Sequence, residues 1–111
     1  MISIERRNKI NIITLNVDSI NALIADDLKN EISKVFENAN SRVILDLTGV
    51  HYIDSTGFGC FLSLMRTAKN SFGSLKFASP EPAIMKVFET LNLQTVFEIY
   101  DNVEDCLRSM K

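Results

Sequence analysis

The chain has 111 residues, of which 46% are hydrophobic and 23% charged, and its net charge is -2. A chain of this length buries about 60–70% of its unfolded surface, which is enough for one core without disulfides or metals. The acidic balance argues against nucleic-acid binding, since phosphate backbones are held by clustered Lys and Arg. We expect one domain spanning residues 1–111, with no direct nucleic-acid partner.

Two strands are predicted at the start of the chain, at residues 3–7 and 10–16, joined by a tight turn at Arg7-Asn8-Lys9. In the second strand the side chains alternate between the two faces of a sheet. The apolar stretch Met1-Ile2-Ser3-Ile4 is too short for a signal peptide or a transmembrane segment. We therefore expect a soluble cytoplasmic protein without a membrane partner.

A first long helix is predicted to open at Asn21-Ala22, because apolar residues then recur at spacings of three and four. This predicted apolar face consists of Ile20, Leu23, Ile24, Leu28, Ile32, Val35, Phe36 and Ala39. Charged and amide residues occupy the opposite side, which is the pattern of a helix packed on a core.

The stretch from residue 42 to residue 59 predicts a buried strand, a loop and a helix. Val43, Ile44, Leu45 and Leu47 form the apolar run of a strand covered on both faces. Asp54-Ser55-Thr56 are residues that cap helices, and a helix N-terminus favours negative charge. The helix that follows has its predicted apolar face at Phe58, Phe61, Leu62, Met65 and Ala68. We therefore expect function at this turn, where a hydroxyl could carry a phosphate.

Two glycines in the first turns of that helix are unusual. Gly57 and Gly59 should each cost about 0.5–1 kcal/mol relative to alanine. Their presence predicts that the sheet or a partner approaches the backbone closely there.

The last third continues the alternation of strands and helices. Gly73 is a candidate helix stop, a strand follows at residues 75–78, and a helix starts at 79–82 and ends near Asn92. A strand at 96–100 precedes a helix from Asp101, with Asp101 and Glu104 spaced as a capping box. Helices between strands require crossover connections, so the pattern predicts an α/β fold with a mixed, mostly parallel sheet of about five strands and covering helices.

Several residues have alternative interpretations. Asp54-Ser55-Thr56 fits an ordinary N-cap, and Asp46 fits a turn-stabilising side chain, because the acidic pair and lysine of a receiver domain are missing. His51 fits either a partly buried polar residue or a general base for Ser55, although the sequence places no third orienting group. Phe58 fits the core better than an interface.

Metal and cofactor sites are not expected. One histidine and two separated cysteines, Cys60 and Cys106, give no zinc-like spacing, and the carboxylates form no calcium loop. The segment Gly57-Phe58-Gly59 lacks the Lys of a Walker loop and the third Gly of a dinucleotide fingerprint. We expect no metal and no cofactor, and the unpaired cysteines indicate a reducing compartment.

The same segment resembles the signature of the STAS domain family, and within it the stand-alone anti-sigma factor antagonists. Asp46-Leu47-Thr48-Gly49-Val50 and Asp54-Ser55-Thr56-Gly57-Phe58-Gly59 match the two halves of that signature. Asp18, Asn21-Ala22, residues 79–82 and residues 97–101 extend the resemblance over most of the chain.

The resemblance implies that Ser55 is phosphorylated by a partner anti-sigma factor that is also a serine kinase. Unphosphorylated, the protein would bind that kinase and release a sigma factor, and a phosphatase would reset it. The implied partner-binding residues are Asp18, Asn21, Asp54, Ser55, Thr56, Gly57, Phe58 and Gly59. On this interpretation the protein is a regulatory binding module and not an enzyme. Two alternatives stay open: a STAS scaffold or transport-accessory domain that is never phosphorylated, and a hydrolase using Ser55 and His51.

Overall fold

The computed structural model describes all residues, 1–111, and contains a central five-stranded sheet with helices on both faces. The strands are β1 Ile2–Arg7, β2 Ile10–Leu15, β3 Ser19–Ile20, β4 Arg42–Asp46, β5 Tyr52–Ile53, β6 Ser74–Ala78 and β7 Ile99–Tyr100. The helices are α1 Ala25–Ser33, α2 Ser55–Asn70, α3 Pro82–Thr90 and α4 Val103–Ser109, with 3-10 turns at Lys34–Glu37 and Leu93–Thr95.

The main sheet has the order β1-β2-β4-β6-β7, in which only the β1–β2 pair is antiparallel. That pair is joined by a turn in which Asn8 and Lys9 both have positive φ, 51° and 66°. Positive φ at both central residues is the type I′ geometry that matches the twist of a hairpin. The predicted hairpin and the mixed, mostly parallel sheet are both confirmed.

The core lies on both faces of the sheet. Helices α1, α2 and α3 cover one face, where Val43 and Leu45 of β4 are fully buried. Helix α4 covers the other face, where Ile44 packs near Cys106. The continuous apolar run of β4 is explained by this burial on both sides, as predicted.

The first helix begins later than predicted. Helix α1 starts at Ala25 and not at Asn21. Residues 22–24 form a turn before it, in which the Asn21 side chain accepts a hydrogen bond from the Leu23 N–H at 2.9 Å. Leu23 is consequently 88% exposed, and Ala39 is also exposed, so the predicted apolar face was wrong at both positions. Ile20 is buried, but it belongs to strand β3.

A small second sheet was not predicted. Tyr52–Ile53, interpreted as loop, pairs in parallel with Ser19–Ile20. Each strand has two residues, which is too short for any periodic pattern to show.

Helix α2 also differs from its predicted face. Leu62 is 42% exposed, while Leu64 is fully buried. The helix ends in a Schellman motif, in which Gly73 N–H donates to the Ala68 carbonyl at 2.8 Å. The left-handed residue of this motif is Phe72, with φ 61°, and Gly73, the predicted helix stop, follows it. Gly73 is required instead because a Cβ there would collide with the Ser41 backbone.

Two predictions near the C-terminus need correction. The last strand covers only Ile99–Tyr100, because residues 93–95 form a 3-10 turn and Val96 is exposed. Helix α4 is capped by Asn102 and not by Asp101, since the Asn102 side chain accepts from the Asp105 N–H at 2.7 Å. The sequence therefore predicted a helix cap one residue too early, and the cap is a single Asn102 acceptor in place of the predicted capping box.

Candidate functional site

The loop between β4 and β5 is held by side chains at both of its ends. Asp46 accepts hydrogen bonds from the backbone N–H and the hydroxyl of Thr48, at 3.0 and 2.7 Å. Gly49 has φ +84°, a conformation that favours glycine, and its N–H donates to the Glu81 carboxylate at 2.9 Å. The turn-stabilising role predicted for Asp46 is confirmed, and Glu81 is an unpredicted second support.

Asp54 links the small sheet to the start of helix α2. Its backbone N–H donates to the Ile20 carbonyl at 3.1 Å, which continues the β3–β5 pairing by one residue. Its side chain is the N-cap of α2, accepting from the Gly57 N–H at 3.0 Å and from the Thr56 hydroxyl at 2.5 Å. Asp54 is therefore fixed at both its backbone and its carboxylate.

These contacts favour the ionised form of the carboxylate. The pKa of Asp54 lies below its ordinary value, first because of the Thr56 hydroxyl and then because of the backbone N–H of Gly57. The backbone N–H groups of Thr56 and Ala22 act in the same direction. A full negative charge is thus held at the N-terminus of α2 at neutral pH.

The two hydroxyls of the turn have different environments. Ser55 and Thr56 are both exposed. The Thr56 hydroxyl is engaged with Asp54, whereas the Ser55 hydroxyl makes no hydrogen bond within the protein. Ser55, the first residue of α2, is therefore the hydroxyl available to a second molecule.

The two glycines of α2 differ in whether packing within the chain requires them. A Cβ on Gly57 would lie 2.6 Å from Ile53 Cγ2 and 3.0 Å from Ile20 Cγ2, so the fold itself requires this glycine. A Cβ on Gly59 would have no neighbour within 4 Å, and Gly59 is exposed. Packing within the chain explains Gly57 and leaves Gly59 unexplained.

Gly59 lies in an open groove of about 390 Å³ between α1 and α2. The groove is lined by Ala22, Ala25, Asp26, Lys29, Thr56, Gly59, Cys60 and Ser63. Five of these residues are glycine, alanine, serine or cysteine, whose small side chains leave the groove open. Cys60, one of the lining residues, is buried, and burial raises the pKa of its thiol to about 11, so this cysteine is not an activated thiolate.

The remaining predicted site residues are brought near the turn in different ways. Phe58 is buried against Phe61 and Phe88, with ring centroids 6.3 and 5.4 Å away, and it anchors α2 to the core. Asn21 is half-buried and shapes the loop before α1. Leu23, exposed beside that loop, is a surface residue that the helix prediction had assigned to the core.

Asp18 and His51 form a pair that the sequence did not predict. The His51 Nδ1 lies 2.8 Å from an Asp18 carboxylate oxygen, and the His51 N–H donates to the Asp18 carbonyl at 2.7 Å. The hydrogen bond with Asp18 raises the pKa of His51 above its ordinary value. The imidazole is 62% exposed, so the expectation of a partly buried histidine was wrong.

This pair supplies an orienting carboxylate for His51, but it does not complete a relay. Neither ring nitrogen of His51 is hydrogen-bonded to the hydroxyl of Ser55. A Ser-His relay depends on that contact. Asp18 comes directly before strand β3, whereas Ser55 follows strand β5. Because the two strands are parallel, the two residues lie at opposite ends of the small sheet.

No group of three or more His, Cys, Asp or Glu side chains is arranged to hold a metal ion. None of the helices combines the length and hydropathy needed to cross a bilayer.

Comparison with known proteins gives a family match: the model of the STAS domain covers residues 1–106. Two curated relatives are provisionally named anti-sigma factor antagonists. One, from Thermotoga maritima, is 24% identical over 64% of this chain and 63% of its own length. The other, BtrV of Bordetella bronchiseptica, is 25% identical over 83% of this chain and 79% of its own length. The chain thus matches slightly under two thirds of the Thermotoga protein.

Solved structures share the fold at low identity. The anti-sigma factor antagonist SpoIIAA in its unphosphorylated form has a TM-score of 0.78 and 20% identity over 99% of this chain and 96% of its own. The phosphorylated form of SpoIIAA, a Bacillus cell fate determinant, has a TM-score of 0.71, with 20% identity and complete coverage of both chains. A segment of the murine anion transporter Slc26a9 also matches, with a TM-score of 0.73 and 16% identity over 93% of this chain and 18% of the transporter.

Proposed function

Because the chain belongs to the STAS domain family, we propose that it is an anti-sigma factor antagonist that is switched by phosphorylation of Ser55. Its partner is an anti-sigma factor with serine kinase activity, and binding of the unphosphorylated form releases a sigma factor. The observation that carries this proposal is the Ser55 hydroxyl, which is exposed, free of internal hydrogen bonds and placed at a helix N-terminus.

The choice of Ser55 over Thr56 rests on the hydrogen bonds of the turn. Transfer of a phosphoryl group to Thr56 would break its 2.5 Å hydrogen bond to Asp54, which helps to form the helix cap. Transfer to Ser55 breaks no hydrogen bond within the protein. The N-terminal amides of α2 also favour a phosphate in the free protein.

The switch follows from charge. Phosphorylation adds about -1.5 to -2 charges beside Asp54, which is already ionised. A partner surface that accommodates one negative charge and a hydroxyl then faces about three negative charges and a bulky group. Like-charge repulsion and desolvation oppose docking, and the complex dissociates.

On this proposal the docking surface includes the Ser55 hydroxyl and also Gly59 and the groove between α1 and α2. A glycine near the start of a helix that nothing inside the protein requires is explained by a partner whose backbone approaches the helix closely. Outside the lining of the groove, the turn before α1 exposes Leu23 and helix α2 exposes Leu62. On this proposal these two side chains add apolar contacts to the partner.

On this proposal the protein performs no chemistry itself and acts in the cytoplasm, where the kinase, its ATP and a phosphatase that resets Ser55 are present. Asp18 and Asn21 belong to the docking surface in this proposal. Asp18 fixes His51 in the loop before β5, and Asn21 fixes the turn before α1 by accepting from the Leu23 N–H.

A second candidate is a STAS scaffold or transport-accessory domain that is never phosphorylated. The match to a segment of Slc26a9 favours it, since the same fold occurs there within a transporter. The neighbouring genes distinguish the candidates: an adjacent small serine-kinase gene supports the switch, and a set of transporter genes supports the accessory domain.

Titration calorimetry with the cognate anti-sigma factor kinase tests the switch. Ser55→Asp should weaken binding by at least about tenfold, or about 1.4 kcal/mol, while Ser55→Ala should bind nearly as well as wild type. The Ala variant is the matched control, because it removes the hydroxyl without adding charge. Equal affinities for the two variants would remove the electrostatic mechanism.

A further inference from the structure

Strand β1 forms one edge of the main sheet. It pairs with β2 on one side, and no strand of the chain pairs with it on the other. Residues 3–6 are exposed, and the apolar side chain of Ile4 is 50% exposed. The backbone groups along this edge are therefore open to an added strand.

The hairpin determines which backbone groups of β1 point to the open edge. The Asn16 N–H donates to the Met1 carbonyl at 2.7 Å. In an antiparallel pair, residues bonded to the neighbouring strand alternate with residues whose N–H and C=O point away from it. Counted from Met1, every second residue therefore bonds to β2. The residues between them, which present their backbone groups to the open edge, are Ile2, Ile4 and Arg6.

The open edge of β1 is complementary to itself. Two copies of the strand, arranged antiparallel about a two-fold axis at Ile4, place each open residue opposite another open residue. Ile4 then lies opposite Ile4, and Ile2 lies opposite Arg6, and each of these pairs exchanges two hydrogen bonds. Every free N–H and C=O of the edge thus finds a partner.

The side chains agree with this register on both faces of the sheet. On one face the two exposed Ile4 side chains meet across the axis and exclude water from each other. On the other face Ser3 lies opposite Glu5. The Ser3 hydroxyl accepts from the Asn16 amide at 2.8 Å, so its own proton is available to the Glu5 carboxylate.

Charge disfavours the neighbouring registers. An axis at Glu5 would place two carboxylates directly opposite each other, and an axis at Arg6 would do the same with two guanidinium groups. An axis at Ser3 would leave the backbone groups of Arg6 without partners. The other edge of the main sheet, β7, has only two residues, so it offers a second copy much less. These features select a second β1 strand with Ile4 at the axis.

We propose that the protein forms a two-fold symmetric dimer through β1, with Ile4 opposite Ile4, so that the two main sheets become one continuous sheet. A two-fold contact of this kind is closed, so association stops at two copies. The dimer is independent of the proposed switch, because no residue of β1 belongs to the Ser55 turn or to the groove between α1 and α2. A single strand pair is a small interface, so we expect a dissociation constant on the order of 100 μM.

Sedimentation equilibrium of the full chain tests the dimer. The wild-type chain should be mainly monomeric at about 10 μM and mainly dimeric at about 1 mM. Ile4→Lys and Ile4→Glu each place like charges across the axis, so each should weaken self-association by at least about tenfold. An equimolar mixture of the two variants should restore the dimer, because opposite charges then meet. Leu91→Lys, which changes a leucine that is 55% exposed and outside β1, is the matched control and should dimerise like wild type.

Amide hydrogen exchange supplies an independent readout of the register. The Ile4 N–H should be protected more strongly at about 1 mM than at about 10 μM, whereas the Glu5 N–H, bonded to β2, should exchange equally at both. A wild-type chain that stays monomeric at about 1 mM would overturn the proposal. So would an Ile4→Lys variant that dimerises like wild type, or a mixture of folded Ile4→Lys and Ile4→Glu that does not associate. Melting temperatures measured in dilute solution show whether each variant is folded.

Discussion

The hydroxyl of Thr56 donates to the carboxylate of Asp54 at 2.5 Å, so of two adjacent hydroxyls at the head of α2 only that of Ser55 is free. The helix cap and the proposed phosphate acceptor thus occupy neighbouring residues without competing. Asp54 and Thr56 build the turn, and Ser55 is presented by it.

The first prediction concerns the site of phosphorylation. Incubation with the cognate kinase and ATP should add one phosphate to the wild-type chain and to Thr56→Val, and none to Ser55→Ala, as measured by intact mass. Thr56→Val should also lower the melting temperature, because the Asp54 carboxylate loses one of its donors. A phosphate on Ser55→Ala, or its loss in a folded Thr56→Val variant, would contradict the assignment.

The second prediction compares the two glycines of α2. Gly59→Ala should stabilise the fold by about 0.5–1 kcal/mol, because alanine favours the helix and its methyl group meets no atom. Gly57→Ala should destabilise it by about 1–3 kcal/mol, because the methyl group overlaps the stiff side chain of Ile53. Urea denaturation measures both.

Binding of the kinase completes that comparison. Gly59→Ala, although more stable, should bind at least about tenfold more weakly if the partner backbone approaches this helix. Wild-type affinity of a stabilised Gly59→Ala variant would mean that the docking surface does not include the groove between α1 and α2.

The sequence predicted the main sheet because β4 is apolar over its whole length and the hairpin turn has residues that accept positive φ. It could not predict the β3–β5 sheet, since two residues give no periodicity. The capping residues of α2 were visible, but their division of roles was not. Whether Ser55 or Thr56 binds Asp54 depends on rotamers, which the sequence does not specify.

The same limit applies to the helix ends and to long-range pairs. Asn21 resembles a helix start, yet residues 22–24 form a turn before α1 and Leu23 is exposed. Asp18 and His51 are 33 residues apart and meet only because β3 and β5 pair. A local pattern contains no information about such contacts.

The third prediction concerns the pH titration of His51, the only histidine of the chain. Because Asp18 raises its pKa, the NMR midpoint should lie above the ordinary value of about 6.5. The pair therefore adds stability at low pH, which is lost as the pH rises through the folded-state pKa. Asp18→Asn should move the midpoint back towards 6.5, because desolvation, which lowers the pKa, and the contributions of Glu81 and Gly49, which raise it, are then what remains.

A midpoint at or below 6.5 in the wild-type chain, or the same midpoint in Asp18→Asn, would show that the two side chains do not interact in solution. His51→Gln is the control for stability: the part of the melting temperature that falls as the pH rises above the ordinary histidine pKa should be absent in this variant.

The last prediction separates a binding module from a hydrolase. The Asp18–His51 pair resembles part of a catalytic triad, so the hydrolase alternative needs a direct test. The purified chain should release no product from generic acyl esters above the background of a heat-inactivated control.

The reason for this expectation is geometric. A general base must take the proton from the Ser55 hydroxyl, but the His51 imidazole is paired with Asp18 and makes no hydrogen bond to that hydroxyl. If the alternative were correct, turnover would fall by about two orders of magnitude or more in both Ser55→Ala and His51→Ala. Ester turnover by the wild-type chain that is lost in both variants would contradict the switch and support a hydrolase. Turnover at the background level in all three proteins would agree with the proposal that Ser55 is the substrate of another enzyme.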